Sequence, residues 1–232
     1  MNASAQNTVE AVIVALDVAP VGAMPMALLP VAGKSILAHR IDELRALGIA
    51  RLTIITAFPR TVRAMADTLP LFELDWRIEM PSRIRHVRQR ALILSADRLS
   101  EPDTAGPGIA PASLRDLIDL NLDVLRGGFA VPHVPGLRVA PGIYLETLDS
   151  ATPANIRGCA HVGDGASLHP TARIVDTVLG AGVRIGAQVT LDRCIVAPGI
   201  RVPTGARLSG VFVLACGTVV RPPPAEIVRR AA

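Results

Sequence analysis

The strongest constraint on the fold is a periodic pattern of aliphatic residues in the second half of the chain. From residue 162 onward, Val, Leu or Ile recurs after six, six and then five residues, so the pattern repeats every 17 residues. The positions are Val162, Leu168, Ile174, Leu179, Ile185, Leu191, Val196, Val202, Leu208, Val213 and Val219. A chain that turns three times in each period would stack these side chains in inward-facing columns. The pattern therefore predicts a parallel coil with three short strands per turn.

Glycines and prolines fit the same interpretation. Glycine directly follows Val162, Leu179 and Ile185, and it tolerates the backbone conformations that tight corners need. The hexapeptide spacing is typical of a left-handed parallel β-helix, which we expect over residues 151–232 with a short C-terminal tail. The three consecutive prolines that start at Pro222 should end the strand ladder, because proline has no N–H group to donate.

The first 150 residues predict a different architecture. Continuous apolar runs are typical of buried strands, and apolar residues at helical spacing indicate helices. Strands and helices are predicted in the order 9–16 (strand), 35–47 (helix), 51–58 (strand), 59–69 (helix), 91–97 (strand) and 113–125 (helix), with loops at 100–112 and 127–143. This alternation predicts a small parallel sheet with helices on both faces. We therefore expect a reduced Rossmann-like α/β domain over residues 1–150, followed by the β-helix.

Composition excludes several classes of protein. Apolar residues make up 50% of the chain and charged residues 19%, which excludes a disordered chain. Aromatic residues make up only 3%, too few for the stacking surfaces of RNA-binding modules. The net charge of +4 is a small excess and argues against nucleic-acid binding. The apolar stretch 9–33 contains Asp17 and three prolines, which argue against a membrane-spanning helix.

The cysteines and the N-terminal segment concern the cellular compartment. Cys159, Cys194 and Cys216 lack the spacing of a metal site, so we expect reduced, buried and unreactive thiols. The segment MNASAQNTVE lacks the basic residues of a signal peptide. Both observations predict a cytoplasmic protein.

One segment of the N-terminal half resembles a known enzyme family. The sequence LLPVAGKSILAHRIDELRALGIARLTIIT at 28–56 is similar to sugar-1-phosphate nucleotidyltransferases, in particular the mannose-1-phosphate guanylyltransferase-like proteins. That family places a Rossmann-like catalytic domain before a left-handed β-helix. The resemblance implies that Asp97, at the end of ALILSAD, and Asp149, in LDSATPANI, are ligands of Mg²⁺.

The residues that handle phosphate in this family are mostly missing here. The glycine-rich loop keeps only Gly22, and Met26 stands where a lysine is expected. Loop amides and basic side chains stabilise charge on the α-phosphate, so their loss should remove most catalysis. We therefore expect a degenerate nucleotidyltransferase in sugar-nucleotide or polysaccharide synthesis. It would act as a homo-oligomer, or by association through the β-helix with an active homologous enzyme.

Several alternatives remain open beside this one. With Asp97 and Asp149 binding Mg²⁺, the chain would still join a nucleoside triphosphate to a sugar 1-phosphate and release pyrophosphate. Lys34 is preceded by glycine as in a phosphate loop and would contact a nucleotide, although Leu28 replaces the first glycine of that motif. Lys34 could equally stand at the start of a helix. The basic residues between 83 and 90 could bind an anionic partner or form a solvated surface.

Two histidines support a further alternative. The segment SLHPTARI at 167–174 resembles the opening coil of hexapeptide acyltransferases. Those enzymes use a histidine of the β-helix as general base on a hydroxyl or an amine. The resemblance makes His161 and His169 candidate bases for acyl transfer, while His169 could also lie on an outer corner without a catalytic role.

Overall fold

The structure is a computed structural model that describes residues 10–19, 24–69, 74–83, 92–95, 110–128, 134–146 and 155–222. Its first elements are β1 (Glu10–Ala15), β2 (Pro30–Val31), β3 (Lys34–Ser35), α1 (Ile36–Ala46), β4 (Arg51–Thr56), α2 (Pro59–Ala66), β5 (Asp75–Glu79), β6 (Leu92–Ser95) and α3 (Leu114–Arg126). The later strands are β7 (Leu137–Ala140), β8 (Ile143–Leu145), β9 (Ile156–Val162), β10 (Ser167–Leu168), β11 (Arg173–Leu179), β12 (Arg184–Ile185), β13 (Thr190–Asp192), β14 (Ile195–Val196), β15 (Arg201–Val202), β16 (Arg207–Ser209), β17 (Phe212–Val213) and β18 (Val219–Val220).

The N-terminal part is a parallel α/β sheet. Its four strands lie in the order β5-β4-β1-β6, and all three pairs are parallel. Ile13, Leu44 and Ile54 belong to its core and are fully buried. Helix α1 begins at Ile36 because the Ser35 hydroxyl accepts a hydrogen bond from the Ala38 amide at 3.1 Å. The mixed α/β architecture is confirmed, whereas its descent from a nucleotidyltransferase domain stays a prediction.

Strand β5 is an addition that the sequence analysis missed. Its residues, DWRIE, alternate charged and apolar side chains instead of forming a continuous apolar run. Among the described strands it lies at the edge of the sheet, where polar side chains are tolerated. A search for buried runs therefore could not find it.

The C-terminal part has the 17-residue period that the sequence predicts. Strand pairing places Leu145, Val162, Leu179, Val196 and Val213 in one column of the coil. A second column contains Leu168, Ile185 and Val202, and a third contains Ile174, Leu191 and Leu208. The parallel coil is therefore confirmed in its register. We call the sheet that contains the first column the first wall, and the sheets that contain the second and third columns the second and third walls. The first wall begins with β8, on the N-terminal side of residue 151.

The coil differs from the prediction at both ends. Val219 pairs with Val213 in antiparallel fashion, so the chain turns back at Gly217 instead of starting another rung. This hairpin covers the edge that β17 would otherwise expose. At the other end, the stretch 127–143 was predicted as a loop, but it contains β7 and the start of β8. Those strands form a hairpin that adds to the first wall.

Helix α3 belongs to the coil and not to the four-stranded sheet. Its buried residues Leu117, Leu122 and Leu125 share one core with the coil. It contacts strands β9 and β11, and Asp119 forms an ion pair with Arg193, a corner residue of the coil. The helix 113–125 is thus confirmed as an element, but its predicted place on the sheet is wrong. Its apolar face fits an apolar surface of the coil just as well as it would fit a sheet.

The three outer walls of the coil differ in polarity. Strand residues alternate between the interior and the exterior. On the second and third walls the equivalent exterior residues are Ser167, Arg184, Arg201, Arg173, Thr190 and Arg207, all of which are exposed except the half-buried Thr190. On the first wall they are the half-buried Tyr144 and then His161, Val178, Ile195 and Phe212, which are at most 3% exposed. The first wall is therefore the one that the rest of the protein covers.

The three cysteines differ in their burial. Cys159 and Cys194 are buried, and burial raises the pKa of both thiols. Cys216 is exposed, so the prediction of a buried thiol is wrong there. The pKa of Cys216 is lowered by its hydrogen bond with Thr218.

Within the described residues, no helix is long and apolar enough to cross a membrane. The cytoplasmic location stays a prediction.

His39 makes the stability of the fold depend on pH. It is fully buried on α1, and Nε2 donates to the carbonyl of Val31 at 2.8 Å. Burial lowers the pKa of His39 from 6.5 to about 4. The unfolded chain therefore takes up a proton at higher pH than the folded chain. The free energy of unfolding should be highest above pH 6.5 and fall as the pH drops toward 4. Between pH 7.5 and pH 5 we expect a loss of about 2 kcal/mol.

Urea unfolding at these two pH values measures this loss. In His39→Gln the part of the pH dependence that His39 causes should disappear, since glutamine does not titrate in this range. An unchanged pH dependence in His39→Gln would contradict the prediction.

Candidate active site

A cavity of about 380 Å³ lies between the first wall of the coil and the segment 24–35. Most of its lining is apolar and comes from both sides, as with Met24, Leu28, Val178 and Phe212. Its polar side chains are Lys34, Ser35, Glu146 and His161. Cavities of this size that combine an apolar lining with a few polar groups are typical of small-molecule sites. This cavity is therefore the candidate site.

His161 is brought to the cavity by the register of the coil. It lies on β9 between Ala160 and Val162, whose side chains belong to the core of the coil. Alternation along the strand turns the imidazole to the outer side of the wall. The residue is nevertheless fully buried, because the segment around Gly33 lies over it. A titratable ring is thus enclosed at the border of the cavity.

Glu146 stands beside this imidazole. One carboxylate oxygen, Oε1, lies 3.1 Å from Nε2 of His161, and the side chain of Glu146 is about one quarter exposed. The amide of Glu146 donates to the carbonyl of Val162 at 2.9 Å, which ties the residue to the strand that carries His161. Coil geometry explains the pairing, because Tyr144 of β8 pairs with His161 of β9. The carboxylate therefore reaches the ring from the neighbouring strand.

Both ring nitrogens of His161 are buried. Neither has an aligned hydrogen-bond partner among the described residues, although Glu146 is within ion-pair distance. A carboxylate favours the tautomer whose N–H points toward it. With Nε2–H toward Glu146, Nδ1 keeps a free lone pair that can accept a proton. The pair resembles the arrangement in which a carboxylate orients a histidine base.

The other candidate residues lie apart from this pair or outside the described residues. Lys34 borders the cavity, but its Nζ pairs with Asp42 Oδ2 at 2.5 Å, and a contact with a nucleotide stays a prediction. His169 lies on an exposed corner, where its Nδ1 is 2.9 Å from the Thr171 hydroxyl. It does not line the cavity, in keeping with the non-catalytic interpretation.

The predicted Mg²⁺ ligands are not among the described residues. Gly22, Asp97 and Asp149 lie outside the described residues, as do the side chains of the basic run from Arg83 to Arg90. Within the part of the chain that the structure describes, no group of three His, Cys, Asp or Glu side chains could hold a metal ion. Binding of Mg²⁺ therefore stays a prediction.

Comparisons with known proteins find solved structures with similarity to the chain. No family model matches, and no curated protein matches. Two of these structures, both from Caulobacter crescentus, are a mutant of GDP-perosamine N-acetyltransferase and a mutant of perosamine N-acetyltransferase, each in complex with CoA and GDP-perosamine. Both are 17% identical, and the matches cover 90% of this chain and 96% of each of those chains, with TM-scores of 0.23 and 0.22. Since these TM-scores are too low to support an inference about activity, the chemistry has to be derived from the site itself.

The main functional prediction is nevertheless wrong. The comparisons give no support to a nucleotidyltransferase family. The cavity is built on the coil around a histidine and a glutamate, and not on the end of the parallel sheet. The geometry of the cavity therefore favours the acyltransferase alternative over the degenerate nucleotidyltransferase.

Glu146 is the site residue that the sequence analysis missed. It lies in the part of the chain that was assigned to the α/β domain. A signal was present, because Leu145 stands 17 residues before Val162 and extends the aliphatic column by one turn. Extending the period backward would have placed Glu146 beside the strand of His161.

Proposed function

We propose that the chain is an acyltransferase that moves an acyl group from a thioester to an amine or a hydroxyl. The observation that carries the proposal is the His161–Glu146 pair at the border of an otherwise largely apolar cavity. An apolar lining lowers the local dielectric and so strengthens the interaction between the carboxylate and the ring. We also propose that the coil is left-handed and that the protein is a homo-oligomer.

In the proposed reaction His161 acts first as base and then as acid. Its free nitrogen takes the proton from the acceptor amine or hydroxyl while the acceptor atom bonds to the thioester carbonyl carbon. The tetrahedral intermediate then collapses, the carbon–sulfur bond breaks, and the thiolate takes the proton from His161. Glu146 stabilises the imidazolium that exists between these two transfers. Atoms and charge balance without a metal ion or a redox group.

The test is an assay of thiol release from acyl-CoA with a panel of amine and hydroxyl acceptors. CoA and GDP-perosamine, named for the two solved structures, supply the first thioester carrier and the first acceptor of the panel. We expect release that depends on the acceptor, with mass spectrometry showing the acylated product. Folded protein that acylates no acceptor of the panel would overturn the proposal.

Glu146→Gln should lower kcat by about tenfold or more. Glutamine keeps the size of the side chain but removes the charge that stabilises the imidazolium. The matched control is Glu79→Gln, which changes a carboxylate on β5, away from the cavity. Equal values of kcat in the two variants and the native protein would show that the carboxylate beside His161 has no role in transfer.

A further inference from the structure

The hairpin β2–β3 places a tight turn against the catalytic histidine. Pro30 pairs with Ser35 and Val31 with Lys34, so Ala32 and Gly33 form the turn. Both have positive φ, +46° and +87°, a conformation that alanine adopts only with strain. Strained backbone persists only where the surroundings hold it in place. The turn is therefore a feature that other residues maintain.

Gly33 is in direct contact with the imidazole of His161. A Cβ atom on Gly33 would lie 2.3 Å from Cε1 and 2.4 Å from Nε2 of the ring. The ring thus packs on the bare Cα of the glycine. No residue other than glycine fits this position without moving the ring or the turn.

Asn121 of α3 maintains the turn. Its Oδ1 accepts from the Ala32 amide at 2.8 Å, and its Nδ2 donates to the carbonyls of Pro30 at 3.1 Å and Leu117 at 2.8 Å. The side chain is 1% exposed, so water cannot replace these bonds. On the other side of the hairpin, His39 donates to the carbonyl of Val31. Helices α1 and α3 therefore hold the turn from two sides.

We propose that Gly33 and Asn121 are positioning residues for the base. The inference rests on the proposed function, since it assigns them to the histidine that would perform acyl transfer. Asn121 holds the strained turn, and the turn holds the imidazole beside Glu146 with its nitrogens in a fixed orientation. The N-terminal region is then part of the active site and not a separate binding domain.

The expected effect follows from the distances. Ordinary contact begins near 3.4 Å, so a methyl group on Gly33 would displace the ring, or the turn, by about 1 Å relative to the other. A displacement of about 1 Å at a reacting group can lower the rate about 100-fold. We expect Gly33→Ala to lower kcat by about this factor and to change KM less.

Gly127→Ala is the matched control. Gly127 ends α3 at φ +90°, so alanine there meets the same backbone strain, but no atom lies within 4 Å of its added Cβ. If kcat falls equally in both variants, the loss comes from strain in general, and the positioning role is overturned.

A second measurement follows the ring without any turnover. In protein labelled with ¹⁵N-histidine, the ring signals of His161 report its tautomer and its titration, and His161→Gln assigns them. We expect these signals to change in Gly33→Ala and in Asn121→Leu, and to stay as in the native protein in Gly127→Ala. Asn121→Leu removes the three hydrogen bonds at similar side-chain volume, and it carries the test if Gly33→Ala does not fold.

The two measurements separate the two proposals. If the ring signals of His161 stay unchanged in both Gly33→Ala and Asn121→Leu, the positioning role is overturned, whatever the enzyme acylates. Ring signals that change in a protein without acyl transfer would support the positioning role and reject the proposed function.

Discussion

Replacement of His161 by glutamine is expected to lower kcat for acyl transfer by about 10²- to 10⁴-fold, the usual contribution of a positioned general base. Glutamine can form hydrogen bonds but cannot take the acceptor's proton at neutral pH. Steady-state kinetics with the acyl-CoA and acceptor pair that the native protein uses best would measure the change.

His169→Gln provides the control for this experiment. Both histidines lie in the coil, but His169 occupies an exposed corner and does not border the cavity. We expect its kcat to equal the native value. A loss in His169→Gln as large as that in His161→Gln, or full activity in both, would remove His161 from the role of base. Far-ultraviolet circular dichroism of both variants would confirm that the coil is intact.

The coil could be predicted from the sequence because a solenoid repeats its constraints. Every turn has to fill the same interior, so residues such as Val162, Leu179 and Val196 recur at the same spacing. The end at Val219 could not be predicted in this way. An aliphatic residue suits a hairpin strand as well as another rung, and the difference lies in the turn at Gly217.

The resemblance to nucleotidyltransferases was misleading for a physical reason. Within the segment 28–56, the residues Leu29, Ile36, Leu37, Ile41, Leu44 and Ile54 are buried. A match that consists largely of core residues shows that a helix packs on a strand in a similar way. It does not show a shared function, because function resides in sites that differ between proteins with similar folds. In this chain the same segment supplies Gly33, which packs on a histidine of the coil.

The candidate site joins parts of the chain that sequence reasoning treated separately. Gly33 precedes α1, Glu146 lies within residues 1–150, which were assigned to the first domain, and His161 lies in the coil. These three residues lie close together because the outer face of the first wall is largely apolar and is covered by the N-terminal part of the chain. That property was visible in the sequence, because Val178, Ile195 and Phe212 follow His161 at intervals of 17 residues. The other two walls have polar residues at the equivalent positions, so only this wall could receive a covering segment.

Leu191→Ala is expected to cause a large loss of stability in the coil. Leu191 is fully buried in the middle of the column that joins Ile174 to Leu208, with a neighbour in the turn before and another in the turn after. Truncation removes buried methyl groups and leaves a cavity that the stacked turns cannot close. Such substitutions cost about 2–5 kcal/mol. For a chain of this size, that corresponds to a fall in melting temperature of about 4–20 °C.

Leu208→Ala makes the same chemical change one turn further along the same column. Leu208 is only half-buried and has a strand partner in the preceding turn alone among the described residues. We therefore expect a clearly smaller loss, measured by thermal unfolding under identical conditions. Because each turn of a solenoid contacts only its neighbours, the difference between the two variants reports the stacking itself. If Leu208→Ala were as destabilising as Leu191→Ala, the column would have to continue beyond Leu208, and the hairpin of β18 would not be the end of the coil.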